Sequence, residues 1–296
     1  HEPAGEHPGR HCMKTVLYYF SATGNSLAVA KGIQKGLGDC ELVSIPEAMA
    51  EGAGDGASGG SRSGATTGAA PQEPAPQTAP VIGIVTPIYM HNMPHIVARF
   101  IEGIAQPEYL CMVYAGGGDL GAGVGKSRKQ FSRLGLTLSA LFNVPMPSNY
   151  APFGYPEQPE QADRLTQAEV RIGEIVETVT SRSVHFDGSG TTFINTYLYP
   201  GPLYQLGYRH ISTLDRSFSA DDRCTSCGIC EEICPVGNIS LLDGRPVWNH
   251  RCEQCFGCLQ WCPVQAIEYG KRTRGVDRYH HPEISLKEIR DSAPRL

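Results

Sequence analysis

At 296 residues, with 41% apolar and 19% charged side chains, the chain can build one full α/β domain and a small second one. Its formal charge of −5 argues against a nucleic-acid partner, which a basic face would mark. No stretch approaches the roughly 18 consecutive apolar residues of a bilayer span, and no apolar signal core opens the chain, so a cytoplasmic location is expected.

Residues 1–12 are rich in Pro, Gly and His without periodicity, the composition of a disordered leader or tag. An apolar run at 14–20 reads as a buried parallel strand. The turn Ser21-Ala22-Thr23-Gly24-Asn25-Ser26 follows, then a helix with Leu27, Ala30, Ile33 and Leu37 on one face and Gly38 as its stop. A second strand fits 41–45. Residues 47–80 consist largely of Gly, Ala, Ser, Thr, Pro and Gln, which cannot bury enough apolar surface to offset ordering entropy. A flexible insertion is therefore expected at 50–79. Strands at 81–85, 109–114 and 138–144 alternate with helices at 94–104 and 125–134. Leu165, Ala168, Ile172, Ile175 and Val179 mark a long amphipathic helix. The alternation predicts a doubly wound, five-stranded parallel sheet over residues 13–182.

A hydroxyl-rich turn between a buried strand and a helix aims backbone amides and the helix dipole at an anion. With no lysine in it, the turn suits a tightly held mononucleotide phosphate, not a transferring one. The turn resembles the phosphate loop of the flavodoxin family, Ser/Thr-x-Thr-Gly-Asn-Thr, with Ser26 in place of the final Thr. The resemblance implies FMN, with its phosphate held by Ser21, Thr23, Gly24, Asn25 and Ser26. It maps the two ring-holding loops to Thr86, Pro87, Ile88, Tyr89 and Asn92, and to Ala115, Gly116, Gly117 and Gly118. Both fall at carboxyl ends of strands, where ligands of such sheets bind. Tyr89 is the candidate to stack on the ring, Gly116 or Gly117 to face a carbonyl to its N5. Tyr150 is either a further ring contact or a core aromatic. Residues 116–121 also fit G-x-G-x-x-G, but they follow the fourth strand and no acidic residue lies about 20 positions on, which points away from NAD.

Residues 183–219 are too aromatic for a solvated linker and are expected to pack between domains, with a substrate pocket as the alternative. Cys111 falls in a predicted strand and Cys40 at the edge of one, and both read as inert buried thiols. Lys271, Arg272, Arg274 and Arg278 open a tail, residues 273–296, whose basic run reads as a solvated face, with docking as the other possibility.

The strongest signal lies at 220–272, where one cysteine pattern is written twice. Cys224, Cys227, Cys230 and Cys234-Pro235 recur, offset by 28 positions, as Cys252, Cys255, Cys258 and Cys262-Pro263. A disulfide framework would need a secreted chain, and zinc sites pair two C-x2-C units instead of repeating a triplet plus Cys-Pro. The pattern resembles bacterial ferredoxins with two [4Fe–4S] clusters, in which each triplet takes its fourth ligand from the other copy. The resemblance implies one cluster on Cys224, Cys227, Cys230 and Cys262, and a second on Cys252, Cys255, Cys258 and Cys234, with Ile239 and Ile267 packed over them.

The order of the two halves, with Met146-Pro147-Ser148-Asn149-Tyr150 and a closing Arg278-Tyr279-His280-His281-Pro282-Glu283, resembles the EFR1-type ferredoxins of anaerobic bacteria. It implies FMN plus two [4Fe–4S] clusters. Because clusters pass single electrons and FMN stores one or two, electron transfer with unidentified donor and acceptor proteins is expected. The sequence offers no Ser/His/Asp or paired-carboxylate constellation to act as catalytic acid, base or nucleophile. The alternatives are an FMN-dependent reductase of a small quinone or enone, with the aromatic linker as its pocket, and a redox-sensing binding module.

Overall fold

The computed structural model describes residues 14–51, 77–118, 120–153, 158–188 and 202–294. The expected leader, most of the expected insertion and residues 189–201 of the aromatic linker lie outside the described residues.

The first 188 residues contain β1 (Thr15–Tyr19), α1 (Asn25–Leu37), β2 (Cys40–Ser44), α2 (Ile45–Glu51), β3 (Val81–Thr86) and α3 (His95–Phe100). They continue with β4 (Tyr109–Gly116), α4 (Gly123–Arg133), β5 (Ala140–Pro145), α5 (Gln158–Ser181) and β6 (His185–Phe186). The strands form one parallel sheet in the order β2-β1-β3-β4-β5-β6. Chain order reverses beside β1 and β3, the flavodoxin-like switch point where doubly wound sheets bind ligands.

The apolar run of β1 is continuous because the strand is buried on both faces. Leu17 and Tyr19 face a core completed by Leu27 and Ile33 of α1 and Ile175 of α5. Val16 and Tyr18 face the opposite core, with Ile45 of α2, Ile96 of α3 and Phe131 of α4. Cys111 is buried between strands, and burial pushes its thiol up to about 12.

Three elements differ from the sequence-based expectation. The sheet has a sixth strand: β6 adds two residues beside β5, pinned by His185 stacked on Phe142 at 4.9 Å and by its bond to Asp187. Two residues are too few for a periodic signal. Helix α2 begins the stretch expected to be irregular, because Ile45, Ala48 and Met49 bury one face of it. Helix α3 stops at Phe100, and a single 3₁₀ turn, Ile101–Gly103, covers the rest of the expected helix.

The second half carries α6 (Pro202–Arg209), β7 (Phe218–Ala220), α7 (Ile229–Glu232), β8 (Ile239–Leu242), β9 (Arg245–Trp248), α8 (Gly257–Gln260), β10 (Ile267–Tyr269) and α9 (Leu286–Asp291). β7 pairs with β10 and β8 with β9, each antiparallel. Phe218 lies at the centre of their core, 5.5 Å from Trp248, 5.3 Å from Phe256 and 4.8 Å from Tyr269, ring centre to ring centre. This is a ferredoxin-like α+β module set beside the α/β sheet.

The tail does not stay in solvent. Arg278 is buried against Glu268 at 3.3 Å, with both side chains less than a tenth exposed, whereas Arg272 and Arg274 remain exposed. Beyond it, Ile284 and Ile289 join the core under α1 and α5. Ser285 and Glu288 form a capping box at the start of α9. Lys31 pairs with Glu288 at 2.7 Å, and Tyr19 Oη lies 2.7 Å from Ser292 Oγ, so the end of the chain closes over its beginning.

Candidate functional site

The repeated cysteine pattern folds twice into the same backbone. Ser226 and Gln254 have φ of 58° and 53°, Gly228 and Phe256 79° and 60°, Gly237 and Gln265 56° and 50°, each pair 28 positions apart. Left-handed residues between the cysteines of each copy, and just after the last cysteine, turn successive amides inward, the geometry that holds anionic groups. Backbone donors follow the same repeat: Asn238 N donates to Cys234 Sγ at 3.1 Å and Ala266 N to Cys262 Sγ at 3.3 Å.

The thiols gather around two separate cavities. Cys224, Cys227, Cys230 and Cys262 line one, with Ile267 against it. Cys234, Cys252, Cys255 and Cys258 line the other, with Ile239. Each group takes three cysteines from one copy and one from the other, the grouping that the ferredoxin resemblance implies. All ten described cysteines are free thiols. Among the described residues, no three Cys, His, Asp or Glu side chains stand close enough to hold a single metal ion. Four soft thiolate donors around one cavity are the donor set an iron–sulfur cluster takes. Burial pushes the Cys230 and Cys255 thiols up to about 12 and raises Cys234, Cys252 and Cys258. A positively charged metal core is what would draw the protons off.

A third cavity, of about 350 Å³, opens at the carboxyl edge of the sheet. Ser21, Thr23, Asn25 and Ser26 line it from the first turn, Pro87, Ile88 and Tyr89 from the loop after β3, and Ala115, Gly116 and Gly117 from the end of β4. Tyr150 completes that sequence-expected set and meets Phe256 edge-on at 5.0 Å. Four expected residues do not line the cavity. Gly24 (φ 97°) is backed by the tail, and a Cβ there would stand 2.8 Å from His281 Cβ. Thr86 is fully buried, with its hydroxyl on the Pro87 carbonyl. Asn92 closes the loop through paired backbone bonds with Tyr89, and Gly118 accepts from Asn143.

The first turn is held from three directions. Asn25 donates to the Pro147 carbonyl at 2.9 Å and accepts from Tyr279 Oη at 2.8 Å. Asn149 donates to Thr23 Oγ1 at 2.7 Å, and His281 N to the Thr23 carbonyl at 2.8 Å. Trp261 Nε1 donates to the Ala22 carbonyl at 2.9 Å. The turn is thereby fixed before any ligand arrives.

Sequence reasoning missed two groups of wall residues. Pro147, Ser148 and Asn149 follow β5 at the same sheet edge, and that position was the signal that would have found them. Ile211, Leu214, Gln254 and Phe256 come from the second half. Gln254 and Phe256 are spacers inside the second cysteine motif, and only a comparison of the two copies would have singled them out.

The chemistry of the wall fits a flavin. Gln254 Oε1 and Tyr89 Oη are shielded from water and have no hydrogen-bond partner, and a buried polar atom in that state marks where a ligand supplies the missing bond. The glycines at 116 and 117 leave room for a flat ring: a Cβ would meet Ile88 Cγ2 at 3.1 Å in one case and Ser148 at 3.3 Å in the other. Burial raises the Tyr89 phenol well above its ordinary value, so it stays protonated.

Residues 223–271 match the family model of the 4Fe-4S dicluster domain. No curated protein matches the chain. Among solved structures, a protein described as a flavoprotein, from Bacteroides uniformis, is 16% identical, with a TM-score of 0.30 over 45% of this chain and 90% of that one. A flavodoxin from the domain Archaea is 13% identical, with a TM-score of 0.34 over 57% of this chain and 99% of that one. The strand order carries the fold assignment. The chain joins a flavodoxin-like sheet to a ferredoxin-like module whose sequence is similar to 4Fe-4S dicluster domains.

Proposed function

We propose that this protein is an iron–sulfur flavoprotein of electron transfer, moving electrons between two [4Fe–4S] clusters and one FMN. The first cluster would be held by Cys224, Cys227, Cys230 and Cys262, the second by Cys252, Cys255, Cys258 and Cys234. Ser21, Thr23, Asn25 and Ser26 would hold the FMN phosphate, and Pro87 through Tyr89, Ala115 through Gly117 and Tyr150 its ring. When bound, the clusters pass single electrons and the flavin takes up one or two, so the chain would couple one-electron to two-electron partners. The resemblance to EFR1-type ferredoxins, in anaerobic metabolism, agrees with this reading.

One observation supports it most: the cavity that would hold the ring is walled by Gln254 and Phe256, on either side of Cys255. A flavin there would sit against a cluster ligand loop. The same wall disfavours a reductase of quinones or enones. At about 350 Å³ the cavity is near the lower end for small-molecule sites, and Ile211, Leu214, Gln254 and Phe256 of the second half already line it. With about two units of negative charge on each cluster and its thiolates, the loaded chain would be more acidic than −5, which favours basic patches on partner proteins.

The test is anaerobic reconstitution with iron, sulfide and FMN, followed by analysis of the desalted protein. The reading requires about eight irons and one FMN per chain. Protein that retains iron but no FMN would refute the flavin half, and FMN without iron would refute the cluster half.

A further inference from the structure

The two copies of the cysteine motif share a backbone but not a surface. In the first copy Thr225 and Ser226 are exposed. Their counterparts, Glu253 and Gln254, are 4% and 5% exposed. Glu253 accepts from the backbone N–H groups of His95 and Ile96, both at 2.8 Å, and so fastens its loop to α3. Gly228 takes its left-handed conformation freely, whereas the first copy's glycine is replaced by Phe256, an aromatic residue held at φ 60°. Ile229 becomes Gly257, where a Cβ would stand 3.4 Å from Ala22 Cβ and 3.8 Å from Cys255 Sγ. The first turn and a cysteine of the second group thus both lie within contact distance of the place a side chain would take at one glycine. The tip of the second copy's loop is fitted to the sheet edge, whereas the tip of the first, at Thr225 and Ser226, is exposed and that copy meets the sheet's core through Ile229 and Ile233 instead.

Gln254 is the centre of that fit. Its backbone N donates to Cys252 Sγ at 3.2 Å and its Nε2 to the same sulfur at 3.7 Å. That fixes the amide's orientation and leaves Oε1 buried and without a partner, in a residue that lines the 350 Å³ cavity. An isoalloxazine ring carries one N–H donor, N3, between two carbonyls on its polar edge. Resting on the proposed flavin site, we propose that Gln254 is a flavin-binding residue: its Oε1 accepts from flavin N3–H while its Nε2 donates to the Cys252 sulfur. The cluster on Cys234, Cys252, Cys255 and Cys258 is then the flavin's electron neighbour, and the other cluster faces outside partners. The transfer between neighbours moves one electron, oxidising the reduced cluster and reducing the flavin, and breaks no bond.

The experiment uses the reconstituted full chain, titrated with FMN and with N3-methyl-FMN under quenching of flavin fluorescence. FMN should bind at least tenfold more tightly than the N3-methyl analogue. In Gln254→Met, which keeps the side-chain length, the two should bind equally, both about as weakly as the analogue binds the unaltered chain. Ser226→Ala, the same position in the first copy, should leave the preference intact, and iron content should be unchanged in both variants. An unaltered chain that binds FMN and its N3-methyl analogue equally overturns the inference without any variant, and so does a Gln254→Met chain that keeps the preference. Failure of the unaltered chain to bind FMN at all would instead strike the flavin reading on which the inference rests.

Discussion

The indole N–H of Trp261 donates to the carbonyl oxygen of Ala22 at 2.9 Å, across 239 positions of sequence. Trp261 immediately precedes Cys262, and Ala22 lies in the turn that lines the sheet-edge cavity. The indole also stacks on His280 at 4.0 Å, so motif, turn and tail meet at one residue. Trp261→Phe keeps the stacking but leaves the Ala22 carbonyl without its donor, a loss of about 1–3 kcal/mol. A lower denaturant midpoint at unchanged m-value and iron content is expected, and a midpoint equal to the unaltered chain's would show that the bond holds nothing.

Cys262 lies in the second copy by sequence and beside the first copy's triplet in space. Cys262→Ala should therefore lower iron from about eight to about four per chain and leave one cluster signal in electron paramagnetic resonance. Loss of both signals would remove the support for interlocked ligand sets.

Gly24 has no room for a side chain. A Cβ would meet His281 Cβ at 2.8 Å and Ile284 Cβ at 3.0 Å, at a φ of 97° that side-chain-bearing residues rarely adopt. Gly24→Ala is expected to cost about 2 kcal/mol or more, to loosen the tail and to weaken FMN binding with it. Limited proteolysis should cut the variant near residue 281 first; an unchanged cleavage pattern would contradict this.

The tail should also respond to acid. Its hydrogen bond from Lys31 and the bonds from Ser285 hold the Glu288 carboxyl down at about 2, against an ordinary value of 4.5. A carboxyl lowered on folding contributes stability that is fully present above about 4.5 and is lost as pH falls towards about 2. Because the group is near the surface, the effect should be modest and screened by salt. Amide exchange in α9 should quicken over that window, and Glu288→Gln should flatten the pH dependence. Equal dependence in both chains would contradict the assignment.

Phe218 anchors the cluster module through three aromatic contacts. Phe218→Ala should cost about 3–5 kcal/mol and lower the temperature at which the iron chromophore bleaches. Bleaching at the original temperature would show the ring to be dispensable.

What the sequence made legible was local. The strand–turn–helix around Ser21 to Ser26 and the spacing of eight cysteines are patterns within a few dozen residues, and the structure gathers both sets around cavities. The alternating faces of β1 and the stripe on α5 likewise follow from backbone periodicity. What was hidden was non-local. No pattern ties Tyr279 to Asn25, 254 positions away, or Ser292 to Tyr19, because hydrogen bonds between distant polar residues leave no periodic trace. Gln254 and Phe256 were hidden differently: inside a metal-binding motif the spacers look interchangeable, and their role depends on which surface the loop is pressed against. Of the basic run expected in solvent, Lys271, Arg272 and Arg274 are exposed, and only Arg278, charged by type, is buried by its pairing with Glu268.

An anaerobic reductive titration of the reconstituted chain, followed by visible absorption, tests the central claim most directly. Two clusters that each accept one electron and an FMN that accepts two require about four electrons per chain before the absorption stops changing. Acid release of one FMN from the same sample should account for two of them. An absorption change that ends after about two electrons, with no FMN released, would contradict the account.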